Sequence, residues 1–214
     1  ACENVEDDIR EILEYHINYT DLPEEKSAKM IKDKIKGVIF GQAIGDALGL
    51  GTEFMTKKEV NKYYPNGLAY YDQIIQDYHR KRWEKGAWTD DTDMMLCIAN
   101  AIIKDKDIKL STIAQNFKEW FNGKPLGIGN NTFKVLSFKD YTDNPQKGAE
   151  IIWNLSGKKS AANGAVMRTS VVGLWNNDTE KYATEICKLT HYDPRCIGSC
   201  AIISLLINNL VYNN

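Results

Sequence analysis

The sequence lacks the alternating apolar and polar pattern of β-strands, and it lacks low-complexity segments, internal repeats and Pro/Gly/Ser-rich linkers. These absences argue against repeat proteins and against several linked domains. The 214 residues are enough for one domain with a sizeable core, since 43% of them are hydrophobic. We therefore predict a single all-α domain over residues 21–214, preceded by an N-terminal helical extension, residues 1–20.

An excess of charge of either sign is lacking as well. The 27 Lys and Arg residues and the 29 Asp and Glu residues give a formal charge of −2, so neither a nucleic acid nor a membrane is an expected partner. The one basic cluster, His79–Trp83, is predicted to be a solvated loop rather than a phosphate-binding patch. The longest apolar run, residues 201–212, is predicted to be too short and too interrupted by Asn to span a membrane.

Cysteine is scarce, and no CxxC pair occurs among the five cysteines. Cys196 and Cys200 are four residues apart and follow His191, but the pattern has no fourth zinc ligand, so we do not predict a zinc site. The acidic N-terminus has no apolar segment of the kind found in signal peptides. The sequence thus favours a reducing, cytoplasmic setting.

What the sequence does contain is a succession of helix signals. Apolar residues at three- and four-residue spacing predict an amphipathic helix over residues 110–121. Other segments begin with an Asn or Asp that can cap a helix, and Pro follows closely in three of them. These predicted helix starts are Asp21, Asn144, Asp178 and Asp193.

Glycine recurs at every fourth position of the first long helical segment, at Gly37, Gly41, Gly45 and Gly49. Each glycine costs up to about 1 kcal/mol of helix propensity relative to alanine. We therefore predict a tightly packed central helix that another backbone approaches closely. Asp46, next to the stripe, is predicted to be a buried or half-buried carboxylate that acts as a hydrogen-bonded organiser rather than a catalyst. Gly45, Gly49 and Gly51 would bring the end of this helix close to a ligand.

The segment from Thr89 to Asp93, TDDTD, places three carboxylates at the start of an apolar helical run. Helix capping explains one or two of them, because carboxylates in a first turn are stabilised by about 0.3–1 kcal/mol each. Alternatively, Thr89, Asp90 and Asp91 converge as hard oxygen ligands, which favour Mg²⁺, Mn²⁺ or Ca²⁺ over zinc. This segment by itself supports capping and metal binding equally.

Several short fragments add candidate ligand-binding residues. Glu53 follows the glycine-rich helix, and His191 lies between a predicted helix end and the next cap. Gly127 and Gly129 lie in a loop before a helix, and a second small-residue loop covers residues 163–165. Such loops can offer backbone N–H groups to a phosphate, although glycine is also common at helix boundaries and a lone histidine is more often structural.

Five fragments occur in order between Gly37 and Pro194: GVIFGQAIGDALGLGTEF, WTDDTDMML, GIGNNT, NGAVMRTSVVG and LTHYDP. Together they resemble the ADP-ribosylglycohydrolase family. The resemblance implies an all-α fold and a binuclear Mg²⁺ or Mn²⁺ centre. It also implies hydrolysis of the glycosidic bond that links ADP-ribose to an acceptor, so the partner would be an ADP-ribosylated protein or small molecule.

The resemblance implies roles for individual residues. Thr89, Asp90 and Asp91 would be metal ligands, and the two aspartates would thereby take part in catalysis. Glu53 would be a catalytic carboxylate near the scissile bond, while Asp93 is not required by the family pattern. The residues that would contact the substrate are Gly127, Gly129, Asn163, Gly164, Ala165 and His191.

The sequence departs from the family pattern towards its C-terminal end. The family completes its metal site with a second acidic motif of the Asp-x-Asp-Thr type, whereas no Asp or Glu follows Asp193 here. We therefore expect half of the metal site in this chain, completed by a C-terminal polypeptide, or self-association through the uncovered apolar run. A non-catalytic ADP-ribose or nucleotide-binding module and a structural, crystallin-like member are the alternative functions.

Overall fold

The computed structural model describes residues 25–213, which form eight α-helices and three 3₁₀ segments without a strand. The all-α prediction is therefore confirmed. The helices are α1 (Glu25–Gly49), α2 (Lys57–Tyr63), α3 (Asp90–Asp105), α4 (Leu110–Asn122), α5 (Asn130–Leu136), α6 (Pro145–Leu155), α7 (Thr179–Lys188) and α8 (Pro194–Tyr212). The 3₁₀ segments are Tyr71–Gln73, Arg80–Arg82 and Val166–Leu174. The predictions for residues 1–20 and for a helix start at Asp21 lie outside the described residues.

Helix α3 lies at the centre of the core. Its Met94, Ile98 and Ile102 are completely buried. It packs against α4 and against the 3₁₀ segment Val166–Leu174, which in turn packs against α8. This arrangement fixes the acidic first turn of α3 at one end of the core.

The helix starts match the sequence in most cases. Helix α4 coincides with the predicted amphipathic segment. The Asn144 side chain caps α6 by accepting from the Lys147 N–H at 3.2 Å, and Asp193 caps α8 by accepting from the Arg195 N–H at 2.9 Å. Asp178 is different, since it adopts the left-handed conformation (φ 50°) and its side chain makes no capping hydrogen bond, so the prediction of a carboxylate cap on α7 is wrong.

Helix α8 is longer than the apolar run that predicted it, because it begins at Pro194 and extends over 19 residues. By length and composition it could cross a membrane, so the prediction that this run is too short is wrong, although core helices meet the same criterion. One side of α8 packs into the core through Cys196, Cys200, Ser204 and Val211. The opposite side exposes apolar side chains: Ile202, Ile203, Leu205, Leu206 and Leu210.

The glycine stripe of α1 is not packed against another backbone. Apart from adjacent residues and the backbone of α1 itself, no heavy atom of the described residues lies within 4 Å of a Cβ built on any of its four glycines, so the prediction of a tightly packed central helix is wrong. Helix α1 instead buries only its inner side, while Phe40 and Ile44 remain 41% and 47% exposed beside the glycines. We call this exposed side the α1 outer face; it comprises Gly37, Phe40, Gly41, Ile44 and Gly45.

Candidate functional site

A cavity of about 1100 Å³ lies at the N-terminal end of α3. Its walls come from the end of α1 and the following turn, the loop before α5, and the loop before the 3₁₀ segment Val166–Leu174. The volume is at the upper end of the range for small-molecule sites. The cavity brings together most of the predicted residues: Glu53, Thr89, Asp90, Asp91, Gly127, Gly129, Asn163, Gly164 and His191.

Two residues predicted near the ligand lie elsewhere. Ala165 is 1% exposed and packs into the core, because it leads directly into the 3₁₀ segment beneath the cavity. Gly51 is also buried, and a Cβ there would collide with Leu68 and lie 3.3 Å from Ile74. Its missing side chain therefore serves the packing of the turn rather than contact with a ligand.

The first turn of α3 is capped by Asp46, which belongs to α1. Oδ2 of Asp46 accepts hydrogen bonds from the backbone N–H groups of Thr89 and Thr92, at 2.9 and 3.0 Å. The hydroxyl groups of the same threonines also donate to this carboxylate, each at 2.7 Å. Asp46 is thus the predicted hydrogen-bonded organiser. It accepts from N–H groups at the start of α3 that usually bond to a capping side chain of the same helix. Because Asp46 already caps α3, helix capping does not explain why Asp90 and Asp91 are carboxylates.

Asp90 and Asp91 face the cavity as half-buried carboxylates. Burial raises the pKa of both groups, and the nearby carboxylates of Asp46 and Glu53 raise it further. The pKa of Asp91 reaches about 7. A cation bound between these carboxylates would relieve their repulsion and stabilise the ionised forms.

The donor atoms suit a hard divalent cation. Thr89 and the two aspartates offer only oxygen, and Mg²⁺ is commonly held by one or two carboxylates together with several waters. The Thr89 hydroxyl donates its proton to Asp46, which leaves oxygen lone pairs for a metal. Among the described residues, no three His, Cys, Asp or Glu side chains come together as a metal site. The three residues therefore fit part of a cation shell.

Asp93 has a separate structural role. Its Oδ1 accepts a hydrogen bond from the indole N–H of Trp88 at 2.9 Å, and its Oδ2 accepts one from Trp120 at 3.0 Å. Burial raises the pKa of Asp93, and the two indole hydrogen bonds oppose that rise. With both oxygens occupied, Asp93 ties the start of α3 to α4.

The loop before α5 packs directly on the acidic turn. A Cβ on Gly127 would lie 2.9 Å from Oδ1 of Asp90 and 3.1 Å from the Trp83 ring. The backbone of Gly129 forms a hydrogen bond with Asp90 that lowers its pKa. A side chain at position 127 would therefore displace Asp90, which explains the need for glycine there.

Glu53 lies on a turn that the basic cluster His79–Trp83 holds in place. Nε2 of His79 is 2.7 Å from Oε2 of Glu53. Arg80, which is 3% exposed, donates hydrogen bonds to the carbonyl groups of Gly51 and Glu53. The cluster also lines the cavity, so the prediction of a solvated loop is wrong. Nothing in the local sequence of the cluster reveals these contacts, because they join residues 26 to 29 positions apart.

Gly164 packs against two polar atoms that lack a hydrogen-bond partner. A Cβ on Gly164 would lie 3.0 Å from Nε2 of His191 and 3.0 Å from Oγ1 of Thr132. Both atoms are buried and have no partner within residues 25–213. Unpaired polar atoms of this kind are costly, and at a cavity wall they are available to a ligand.

The fold and the cavity define an all-α protein with an oxygen-lined acidic site at a helix start. The chain belongs to the ADP-ribosylglycohydrolase family, whose profile matches residues 27–214. It is similar to the ADP-ribosylarginine hydrolase Tri1 of Serratia proteamaculans, with 27% identity over 207 residues that cover 89% of this chain and 50% of the relative. It is also similar to the ADP-ribosyl-(dinitrogen reductase) glycohydrolase of Rhodospirillum rubrum, with 26% identity over 192 residues that cover 85% and 59%. The chain thus spans about half the length of these curated relatives.

Proposed function

We propose that this chain forms the ADP-ribose-binding part of a metal-dependent hydrolase, which cleaves the glycosidic bond between ADP-ribose and a protein side chain or other acceptor. The observation that carries the proposal is the pair Asp90 and Asp91, which face the cavity while Asp46 caps α3 in their place. The names of the two relatives, an ADP-ribosylarginine hydrolase and an ADP-ribosyl-(dinitrogen reductase) glycohydrolase, support this substrate class.

The cation in this proposal is Mg²⁺ or Mn²⁺, held by Thr89, Asp90 and Asp91. The family pattern predicts two ions, and the remaining ligands would come from water and from a further polypeptide. These three residues would hold the cation, which when bound would help to orient ribose hydroxyl groups and to activate a water. The proposal therefore requires ADP-ribose binding to depend on the metal.

Other residues of the cavity would supply proton transfer and substrate binding. Cleavage at the anomeric carbon builds oxocarbenium character on the ribose. Glu53, held by His79 at the cavity wall, would carry a proton to the leaving group or accept one from water. The residues that would bind and orient ADP-ribose are Gly127, Gly129, Asn163, Gly164 and His191.

The first test is calorimetric titration of the chain with ADP-ribose, in Mg²⁺ and in EDTA. We expect Mg²⁺-dependent binding that Asp91→Asn abolishes, because this change removes one of two carboxylate ligands. Asp140→Asn makes the same chemical change at an exposed position and should bind as the unchanged chain does. Equal affinity in Mg²⁺ and EDTA would reject the metal and favour a non-catalytic ADP-ribose-binding module, and a lack of binding in both would contradict the proposal.

We propose further that a complementing C-terminal polypeptide covers the α1 outer face and the exposed side of α8. These two surfaces adjoin, since α1 contacts α8 and Lys34 Nζ donates to the Val211 carbonyl at 3.3 Å. Exposed apolar side chains on both helices are typical of a surface that further helices bury. The matches to this chain cover 50% and 59% of the two relatives, so each relative has additional residues that could do so.

A further inference from the structure

Arg168 is a buried cation with no carboxylate partner in the described part of the chain. It is 1% exposed, and its guanidinium lies 4.4 Å from the centre of the Phe117 ring. Nη2 donates a hydrogen bond to Oγ1 of Thr190 at 2.7 Å. Burying a charge without a counter-charge costs free energy, so the hydrogen bonds of this guanidinium are candidates for a functional role.

The next contact fixes the direction of these hydrogen bonds. Oγ1 of Thr190 lies 2.8 Å from Nδ1 of His191. A guanidinium only donates, so the Thr190 oxygen accepts from Arg168. For the Thr190 hydroxyl proton the structure offers Nδ1 as the acceptor, so donation to Nδ1 is the arrangement that satisfies both groups. A neutral imidazole that accepts at Nδ1 carries its proton on Nε2.

The surroundings keep His191 neutral. The residue is 1% exposed. Burial first, and then the positive charge of Arg168, lower the pKa of His191 to about 3. With Nδ1 accepting from Thr190, the hydrogen atom of the neutral ring would be on Nε2, and Nε2 has no hydrogen-bond partner within residues 25–213. Nε2 lies at the cavity wall beside Gly164, where a bound molecule can supply the acceptor.

We propose that Arg168 and Thr190 are positioning residues that hold His191 as the Nε2-protonated tautomer, which donates a hydrogen bond to an acceptor oxygen of the ligand. His191 thereby selects an oxygen acceptor at this point of the cavity and disfavours a group that presents its own N–H. The choice of ADP-ribose as the ligand rests on the proposed function, whereas the tautomer does not.

The tautomer is measured directly by NMR of the ¹⁵N-labelled full chain at pH 7. Ring nitrogen shifts distinguish protonated from unprotonated nitrogen, and the chain has only three histidines, so the spectrum of His191→Gln identifies the His191 signals. We expect a protonated Nε2 and an unprotonated Nδ1. A protonated Nδ1 in the unchanged chain would overturn the proposal.

Two variants of Thr190 test the positioning role. Thr190→Val removes the hydroxyl group and should give a mixture of tautomers with about tenfold weaker ADP-ribose binding in Mg²⁺. Thr190→Ser keeps the hydroxyl group and should restore both properties. Unchanged tautomer and affinity in Thr190→Val would overturn the proposal. Failure of the unchanged chain to bind ADP-ribose would count against the proposed function, and the ring spectra would still decide the tautomer.

Discussion

Four hydrogen bonds end on the single carboxylate of Asp46, and they join the end of α1 to the first turn of α3. Both oxygens accept, so an uncharged amide of the same shape cannot replace them. The NH₂ group of such an amide is a donor, and it would face the N–H and O–H groups of Thr89 and Thr92, which are donors as well. The position of the acidic turn thus depends on one side chain outside that turn.

We expect Asp46→Asn to lower the free energy of unfolding by about 1–3 kcal/mol, because it leaves buried donors unpaired and removes the cap of α3. Urea unfolding at pH 7 measures this change. Asp33→Asn, on the exposed side of the same helix, is the matched control and should change stability by less than about 0.5 kcal/mol. Equal losses in the two variants would show that Asp46 does not cap α3.

His191 should make the protein less stable in mild acid. Its pKa is about 6.5 when unfolded and about 3 when folded, so below pH 6.5 the unfolded chain binds a proton that the folded chain excludes. Stability then rises with pH across this range and is lost as pH falls, by up to about 1.4 kcal/mol per pH unit. Unfolding of His191→Gln, followed from pH 6.5 to 5, should depend less steeply on pH. The same slope in both proteins would contradict the neutral, buried imidazole.

At the scale of single elements, helix α1 has two unlike sides. Its inner side carries buried isoleucines and Asp46, while the α1 outer face combines glycines with exposed Phe40 and Ile44. The four-residue spacing predicted the stripe itself, since 3.6 residues per turn place such positions on one face. The spacing could not show whether another element covers the glycine stripe, because such packing depends on elements that are remote in sequence.

Two glycine replacements distinguish a glycine with open space around it from a glycine that packs closely against its neighbours. Gly37→Ala should stabilise the isolated chain by up to about 1 kcal/mol, because alanine favours the helix and the new Cβ would have no described atom within 4 Å beyond adjacent residues and the backbone of α1. Gly51→Ala should destabilise it by about 1–3 kcal/mol, because its Cβ meets Leu68 and the Leu48 carbonyl. Thermal unfolding of both variants measures the difference. Destabilisation by Gly37→Ala would mean that this part of α1 is already packed.

At the scale of the whole molecule, α1 and α8 expose apolar side chains that the described part of the core does not bury. We expect the chain, co-expressed with the part of the Serratia proteamaculans relative that it does not match, to form a one-to-one complex. Replacing both Ile202 and Leu206 with Lys should abolish this complex, while Leu155→Lys, at an exposed position on α6, should not. Light scattering of the purified proteins measures the assembly. A homodimer that the double replacement dissociates, without uptake of the added polypeptide, would instead assign the surface to self-association.

The sequence was most informative where local chemistry decides structure. Periodicity predicted α4, and Asn144 and Asp193 marked the starts of α6 and α8, because caps act within three residues. The residues brought to the cavity were predictable chiefly from the order of the five fragments. The contacts of His79, Arg80 and Thr190 were not, since each partner's position follows from tertiary packing.

The carboxylate of Asp46 has one more consequence, because α1 carries both the exposed outer face and the residue that caps the acidic turn. A polypeptide that docks on the α1 outer face and a cation that binds at Asp90 and Asp91 would order the same segment, since Gly41 and Gly45 of that face also line the cavity. Their binding free energies should therefore be coupled, and each should strengthen the other by the same factor. If the proposed polypeptide binds, we expect the unassembled chain to hold Mg²⁺ and ADP-ribose more weakly than the assembled one does.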